Sequence, residues 1–352
     1  MVPKLRFNGF TIPWKQAQIG SILTIGSGRD YKHLAHGEVP VFGTGGLMTY
    51  VDEFLHDGET VCIGRKGTID KPFYYSGKIW TVDTLFFTHS FTKVLPKFVF
   101  NLFCNINWKE HNEATGVPSL SKSIIGKIEV FYPDLKEQTK IADFLSSVDE
   151  KIALLNKQYD LLCEYKKGMM QKIFSQELRF KDGNGGEFPE WDRKFIGNIL
   201  TIGSGRDYKH LNDGNVPVFG TGGFMTMVDR FLFEGETVCI GRKGTIDKPF
   251  YYSGKIWTVD TLFYTHEFKD SYPKFVYQLF LTINWKEYNE ASGVPSLSKN
   301  TIEKIEVNIP CLSEQIKIAN FLSALDDKIG VKKAELDKLK TWKQGLLQQM
   351  FV

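Results

Sequence analysis

The residues with chemistry to offer stand in short polar runs punctuated by glycine. Arg29, Lys32 and His33 share one run, and Thr44 sits in Gly43-Thr44-Gly45-Gly46. Arg65 and Lys66 lie in Gly64-Arg65-Lys66-Gly67-Thr68, with Lys71 and Tyr74 just beyond. Ser119, Ser121 and Lys122 close the polar segment that starts at Ala114. Each of these recurs: Arg206, Lys209 and His210; Thr221; Arg242 and Lys243; Lys248 and Tyr251; Ser296, Ser298 and Lys299. They are binding groups. An arginine pairs bidentately with a guanine edge, while lysine and serine hold phosphate oxygens. Flanking glycines let the backbone come close to a partner. The same residues also fit ordinary solvated loops with tyrosines packed at a domain edge, and composition alone leaves both readings open.

Patterns that would carry catalysis do not hold together. Val41 to Gly46 has the look of a nucleotide glycine loop, but such a loop needs a helix after it, and Leu47 to Val51 reads as strand. Gly64 to Thr68 lacks the spacing of a phosphate-binding P-loop, and no Asn/Asp-Pro-Pro-aromatic tetrapeptide of adenine methyltransferases is present. Glu164-Tyr165-Lys166 has a nuclease-like spacing on what reads as a long helix, where that geometry is useless. His33, His89, His210 and His266 lack ligand spacing to cysteines or carboxylates, and Asp83 and Asp260 read as structural residues within a strand. No catalytic site, metal or cofactor is expected. The cysteines at 62, 104, 163, 239 and 311 form no C-x-x-C pair, which predicts free thiols in a reducing compartment. With 42% hydrophobic residues, no apolar run of membrane-spanning length and no leader-like start, a cytoplasmic protein without membrane contact is expected. A net charge of +3 permits nucleic acid as a partner without demanding it.

What positions these loops is a duplication. Thr24 to Leu34 returns unchanged as Thr201 to Leu211, Pro40 to Gly46 as Pro217 to Gly223, and Gly58 to Phe86 as Gly235 to Phe263. Trp14 and Trp191, Trp108 and Trp285, Pro133 and Pro310, and Phe174 and Phe351 keep the same register. Solenoid repeats run to roughly 20–50 residues, so a period this long means whole domains. Two like domains imply a pseudo-two-fold axis, which suits inverted half-sites on duplex DNA.

Each copy opens with mixed elements. A strand at Pro40 to Phe42, a buried strand at Thr60 to Ile63 and a strand at Lys78 to Phe87 precede a helix that starts at Pro96. A strand at Lys127 to Phe131 follows the polar loop. Gln138 to Phe174 then holds no proline and only Gly168. Ile141, Phe144, Val148, Ile152, Leu155, Tyr159, Leu162, Lys166, Met169 and Ile173 recur at alternating steps of three and four, with one doubled four, the pattern of a coiled-coil seam. The second copy supplies Ile318, Leu325, Ile329, Leu336, Leu339 and Leu346, with Lys332 and Lys343 interrupting. The expected fold class is α+β: two mixed α/β domains separated by two long helices that form an antiparallel coiled coil, with pseudo-two-fold symmetry. The expected boundaries are 1–134 and 179–311 for the domains, and 135–178 and 312–352 for the helices.

The order of parts resembles the specificity (S) subunit of type I restriction-modification systems. The matching features in each copy are Pro-Val-Phe-Gly-Thr-Gly-Gly, Ile-Gly-Arg-Lys-Gly-Thr, Trp-Thr-Val-Asp-Thr-Leu-Phe and Gly-Val-Pro-Ser-Leu-Ser. To these is added the helix entry Glu-Gln-x-Lys-Ile-Ala-x-Phe-Leu-Ser at Glu137 to Ser146 and Glu314 to Ser323. The resemblance implies two target-recognition domains that bind double-stranded DNA. It also implies partners: two adenine methyltransferase (M) subunits, and restriction (R) subunits in the full complex. Members of that family usually carry two dissimilar recognition domains, whereas these are nearly identical, so identical half-sites in inverted order are expected. Leu47/Phe224, Tyr50/Met227 and Glu53/Arg230 are differences that could break the symmetry. Two other readings remain: a self-contained DNA methyltransferase or nuclease, which would turn over DNA alone, and a protein-binding scaffold, whose binding would not share the salt dependence of phosphate contacts.

Overall fold

The computed structural model describes residues 2–351. The chain divides into two compact units, Met1–Asn156 with Ala334–Val352, and Lys157–Lys333. The first unit contains β1 (Lys15–Gln18), α1 (Ile19–Ile22), β2 (Thr24–Ser27), β3 (Val39–Gly43), β4 (Gly46–Val51), β5 (His56–Gly64), β6 (Phe73–Thr81) and β7 (Leu85–His89). It continues with α2 (Pro96–Asn105), α3 (Lys122–Lys127) and β8 (Glu129–Tyr132), then enters the long helix α4 (Leu135–Phe174).

Strands of this unit form a six-stranded sheet in the order β2-β7-β5-β6-β3-β4. The sheet is mixed, because β3 runs parallel to β6 while the other neighbours are antiparallel. Successive side chains of a strand face opposite sides. In β5, Val61 and Ile63 accordingly enter the main core with Phe98, Val99, Phe103 and Trp108, while Cys62 packs on the other face with Ile79, Leu85 and Phe87. Pro96 occupies the first turn of α2, where its missing N–H costs nothing. The stretch Lys78 to Phe87 is not one strand: β6 ends at Thr81 and β7 begins at Leu85. Asp83 therefore sits in the turn between them. A β-branched and aromatic run hides that turn because neither glycine nor proline marks it.

The second unit repeats the plan with β9 (Asp192–Phe195), α5 (Ile196–Ile199), β10 (Thr201–Ser204), β11 (Val216–Gly220), β12 (Gly223–Val228), β13 (Phe233–Gly241), β14 (Phe250–Thr258) and β15 (Leu262–His266). It ends with α6 (Pro273–Phe280), α7 (Lys299–Glu303), β16 (Glu306–Ile309) and the long helix α8 (Leu312–Met350). Its six-stranded sheet has the order β10-β15-β13-β14-β11-β12, again with one parallel pair, β11 with β14.

Each unit holds a piece of both long helices, and within each the pieces run antiparallel as a coiled coil. In the second unit Lys166 pairs with Asp326 at 2.6 Å, while Lys333 lies over the Tyr159 ring. One number falls as the other rises. In the first unit Lys343 pairs with Asp149 at 2.5 Å, the same bond with the roles of the helices exchanged. Lys343, which interrupts the apolar pattern of the second copy, and Lys166 at the matching seam position of the first each meet a carboxylate on the opposite helix. Ile141, Val148, Leu155, Ile318, Leu325, Leu336 and Leu346 are buried; Ile152, Leu162, Ile329 and Leu339 are half-buried. Among the described residues, no helix is long and apolar enough to cross a membrane.

Candidate nucleic-acid interface

The turn Gly64-Arg65-Lys66-Gly67 is clamped from two sides. Arg65 N–H and Lys66 N–H both donate to the Thr84 carbonyl, at 2.7 and 3.2 Å. Gly67 N–H donates to the Pro118 carbonyl at 2.8 Å, and Leu120 N–H donates back to the Arg65 carbonyl at 2.9 Å. Two glycines make the clamp possible. A Cβ at Gly64 would stand 2.0 Å from the Thr68 carbonyl oxygen, and Gly67 has φ +86°, a conformation that disfavours any other residue. The polar loop that the turn leans on is itself organised by Asn112, whose side-chain oxygen accepts from Ala114 N–H at 3.1 Å and Ser119 N–H at 2.8 Å. Corresponding bonds hold the second copy: Arg242 and Lys243 to Thr261, Gly244 to Pro295, Leu297 to Arg242, and Asn289 to Ala291 and Ser296.

This clamp brings Arg65, Lys66, Ser119, Ser121 and Lys122 around one open cleft of about 390 Å³, with Ser27, Phe86, Glu113 and Leu120 completing the wall. The second copy has a cleft of about 380 Å³ lined by Ser204, Arg242, Lys243, Phe263, Glu290, Ser296, Leu297, Ser298 and Lys299. Three cations face one carboxylate in each, so the clefts are electropositive. The Arg65 guanidinium lies 5.9 Å from the centre of the Phe86 ring, and its NH1 donates to the Asp83 carbonyl at 3.3 Å. A guanidinium carries five N–H donors, and this bond engages one of them.

A second open cleft, of about 700 Å³ in one copy and 730 Å³ in the other, lies at the β3–β4 hairpin tip and its equivalent. Lys32 and Thr44 line it in the first copy, together with Asp30, Tyr31, Met48, Asp83 and Thr84. Lys209 and Thr221 hold the same places in the second. The two clefts adjoin. Asp83 and Thr84 form the wall of one and anchor the Arg65 turn of the other, and a Cβ on Gly67 would lie 3.7 Å from Thr44 Oγ1. The loop that carries Arg29 is tied to the sheet by Trp80, whose Nε1–H donates to the Arg29 carbonyl at 2.9 Å. Arg29 and His33 are exposed beside this cleft's loop, as are Arg206 and His210.

Other expected site residues are not drawn in. Lys71 and Lys248 are exposed and line neither cleft. Tyr74 donates to Glu59 and lies under Lys97 of α2; burial first and the Glu59 carboxylate second push its phenol up to about 12. Tyr251 is held likewise by Glu236 and Lys274. Ser121 and Ser298 reach their clefts but already cap α3 and α7, accepting from Ile124 N–H and Thr301 N–H. Among the described residues, no group of three or more His, Cys, Asp or Glu side chains could hold a metal ion. All five cysteines are free, and burial pushes the Cys62 and Cys239 thiols well up.

A family model described as "Type I restriction modification DNA specificity domain" matches the chain twice, over residues 11–163 and 189–341. The chain belongs to the type I restriction-modification specificity family. It is 25% identical over 281 residues to the type I restriction enzyme MjaVIII specificity subunit of Methanocaldococcus jannaschii, covering 68% of this chain and 65% of that protein. To the putative MjaX specificity subunit of the same organism it is 24% identical over 323 residues, covering 81% of this chain and 75% of that protein. Its fold matches the crystal structure of the type I restriction-modification S subunit from M. genitalium, with a TM-score of 0.73 at 19% identity over 100% of this chain and 99% of that one.

Several residues of this specificity protein's clefts carry no signal in the sequence alone. Ser27, Phe86 and Glu113 arrive from β2, β7 and the loop after α2, and only the sheet order places them beside Arg65. The second-copy carboxylate Glu290 is held by the hydroxyls of Thr301 and then Ser298, which keep it ionised below the usual carboxylate range. Position 124 of the first copy is isoleucine, so Glu113 has no such threonine there.

Proposed function

We propose that this chain is the non-catalytic DNA sequence-specificity subunit of a type I restriction-modification assembly. It recognises a bipartite site of two inverted half-sites on duplex DNA, and it directs adenine methyltransferase and restriction subunits to that site. The observation that carries this reading is the doubled electropositive cleft, with an arginine held on a rigid turn and serine and lysine groups around it. An arginine so placed suits a guanine edge in the major groove, and the lysines suit phosphates. Because the lining of this cleft is the same in both copies, the half-sites share the readout that this cleft makes. Partner docking is supported by exposed apolar side chains on the part of α4 in the second unit, where Leu161 and Tyr165 are 54% and 51% accessible. Apolar patches of this kind mark protein contacts.

The test is to sequence, with base-modification detection, DNA from cells carrying the system with and without this chain. A methylated motif of two inverted half-sites that disappears with the chain is the expected result. Methylation that persists without it, or a motif with a single continuous site, would refute the proposal. In the same assay, inserting one helical turn of about four residues into both α4 and α8 should lengthen the spacer and leave the half-sites unaltered. An unchanged spacer, or loss of binding to any lengthened spacer, would show that the helices do not act as the ruler.

A further inference from the structure

The two copies line their clefts with the same residues except at one place. Leu47 on β4 corresponds to Phe224 on β12, at the rim of the hairpin cleft. Both are exposed, at 50% and 61%. Their settings are alike, and the side chains differ in a way that matters for a flat ligand. Phe224 is the cross-strand partner of Phe219, and the two rings meet edge to face with centroids 6.1 Å apart. Phe219 is in turn held by Phe250 at 5.3 Å and Tyr252 at 5.5 Å. The exposed ring of Phe224 is therefore braced from behind by an aromatic stack. Leu47 faces Phe42 at the same register, and Phe42 is held in the same way by Phe73 at 5.2 Å and Tyr75 at 5.5 Å, but Leu47 offers only a branched aliphatic surface. The other two differences on this hairpin lie elsewhere: Tyr50 and Met227 pair with Pro40 and Pro217 at the open end, and Glu53 and Arg230 follow the strand. Neither pair lines a cleft.

We infer that position 47/224 is a specificity-determining residue and gives the two half-sites their one point of difference. The inference presupposes the DNA-specificity role proposed for the chain. A braced aromatic ring at a cleft rim makes apolar contact with a thymine methyl in the groove, and leucine at the same position makes less of it. Stacking alone would be sequence-tolerant, so the preference comes from the methyl, and loss of one such base-pair contact corresponds to roughly tenfold. All other cleft residues being shared, the half-sites agree elsewhere.

The exchange is benign for folding, since each residue already occurs on the equivalent hairpin. The experiment uses the full chain in cells carrying the complete system, with the methylated motif as the readout. Wild type should show half-sites that differ at one base pair at the same offset. Leu47→Phe should bring the first half-site to the preference of the second, with roughly tenfold enrichment at that base pair. Phe224→Leu should do the converse, so that each variant methylates a different palindromic motif. Tyr50→Met and Met227→Tyr should leave the motif as it is. A bipartite motif that neither exchange at 47/224 alters would overturn this inference while leaving the chain's role intact. So would a motif that responds instead to Ile124→Thr and Thr301→Ile, the pair behind Glu113 and Glu290. Loss of any chain-dependent bipartite motif in the wild type would overturn the role and the inference together.

Discussion

Arg6→Ala should destabilise the first unit by about 3–5 kcal/mol, and Arg179→Ala should do the same to the second. The Glu137 side chain is only 1% accessible, and Arg6 grips it with two parallel bonds, Nε to Oε1 at 2.6 Å and NH2 to Oε2 at 2.7 Å. Trp14 Nε1–H adds a longer bond to the same carboxylate at 3.4 Å. Truncating the arginine leaves a carboxylate in the core without its counter-ion, and the stranded charge, more than the missing hydrogen bonds, sets the size of the effect. Arg179, Glu314 and Trp191 repeat the constellation. The measurement is urea unfolding of the full chain, with hydrogen exchange to assign the loss to one unit. Replacing the pair together, Arg6→Leu with Glu137→Met, should recover most of the stability. A loss below about 1 kcal/mol for Arg6→Ala would mean that the carboxylate is hydrated.

That constellation gives physical content to the helix-entry motif. Glu137 and Gln138 open α4 as a buried polar hub. Gln138 donates to the Lys93 and Pro133 carbonyls, both at 2.9 Å, and accepts from Leu95 N–H at 2.9 Å. Glu137 and Gln138 thus fix the N-terminal segment, the start of α2 and the end of β8 to the first turn of the long helix. Gln315 does the same work through the Asp270 and Pro310 carbonyls and Tyr272 N–H.

The duplication, the fold class and the long helices are legible because each is written in patterns of period two, three-and-a-half or a whole domain. The register of the repeat is legible only from Trp14 onward. Arg6 matches Arg179 rather than Gly183, because the second copy inserts four residues in the turn where the Asp182 side chain accepts from Asn184 and Gly186 N–H groups. A constant shift pairs the wrong residues there, which hides the half-buried arginine from a comparison of the two copies. The candidate site is half legible. Arg65, Lys66, Ser119 and Lys122 stand out because glycines and polar neighbours mark their loops, but nothing local distinguishes Lys66 at a cleft from Lys71 a few residues away. Sheet order decides that, and it joins β2, β5 and β7 across long stretches of chain. Tyr74 reads as a DNA-facing residue for the same reason: its carboxylate partner, Glu59, is a strand away.

Arg65→Ala combined with Arg242→Ala should remove most sequence discrimination, by roughly 30-fold to over 10⁴-fold in the ratio of specific to nonspecific binding, taking about 1–3 kcal/mol for each bidentate base contact. The turn holds its place through backbone bonds to Thr84, Pro118 and Leu120, so the substitution removes the guanidinium without releasing the loop. Lysine tests the geometry separately from the charge. Arg65→Lys with Arg242→Lys keeps both cations, and nonspecific affinity with its salt dependence should survive while discrimination falls, since an ammonium cannot make the planar two-pronged contact. Lys66→Ala and Lys122→Ala should behave in the opposite way, weakening binding to all sequences and lowering the slope of log K against log salt by roughly 0.9 for each phosphate no longer neutralised. Binding of the assembled complex to target and scrambled duplexes over a range of salt separates the outcomes. If the arginine-to-lysine pair discriminated as well as the wild type, the arginines would be phosphate clamps, and base readout would have to come from the hairpin cleft, where Lys32 faces Asp30 and Asp83 and an acidic wall would favour cytosine amino groups over guanine.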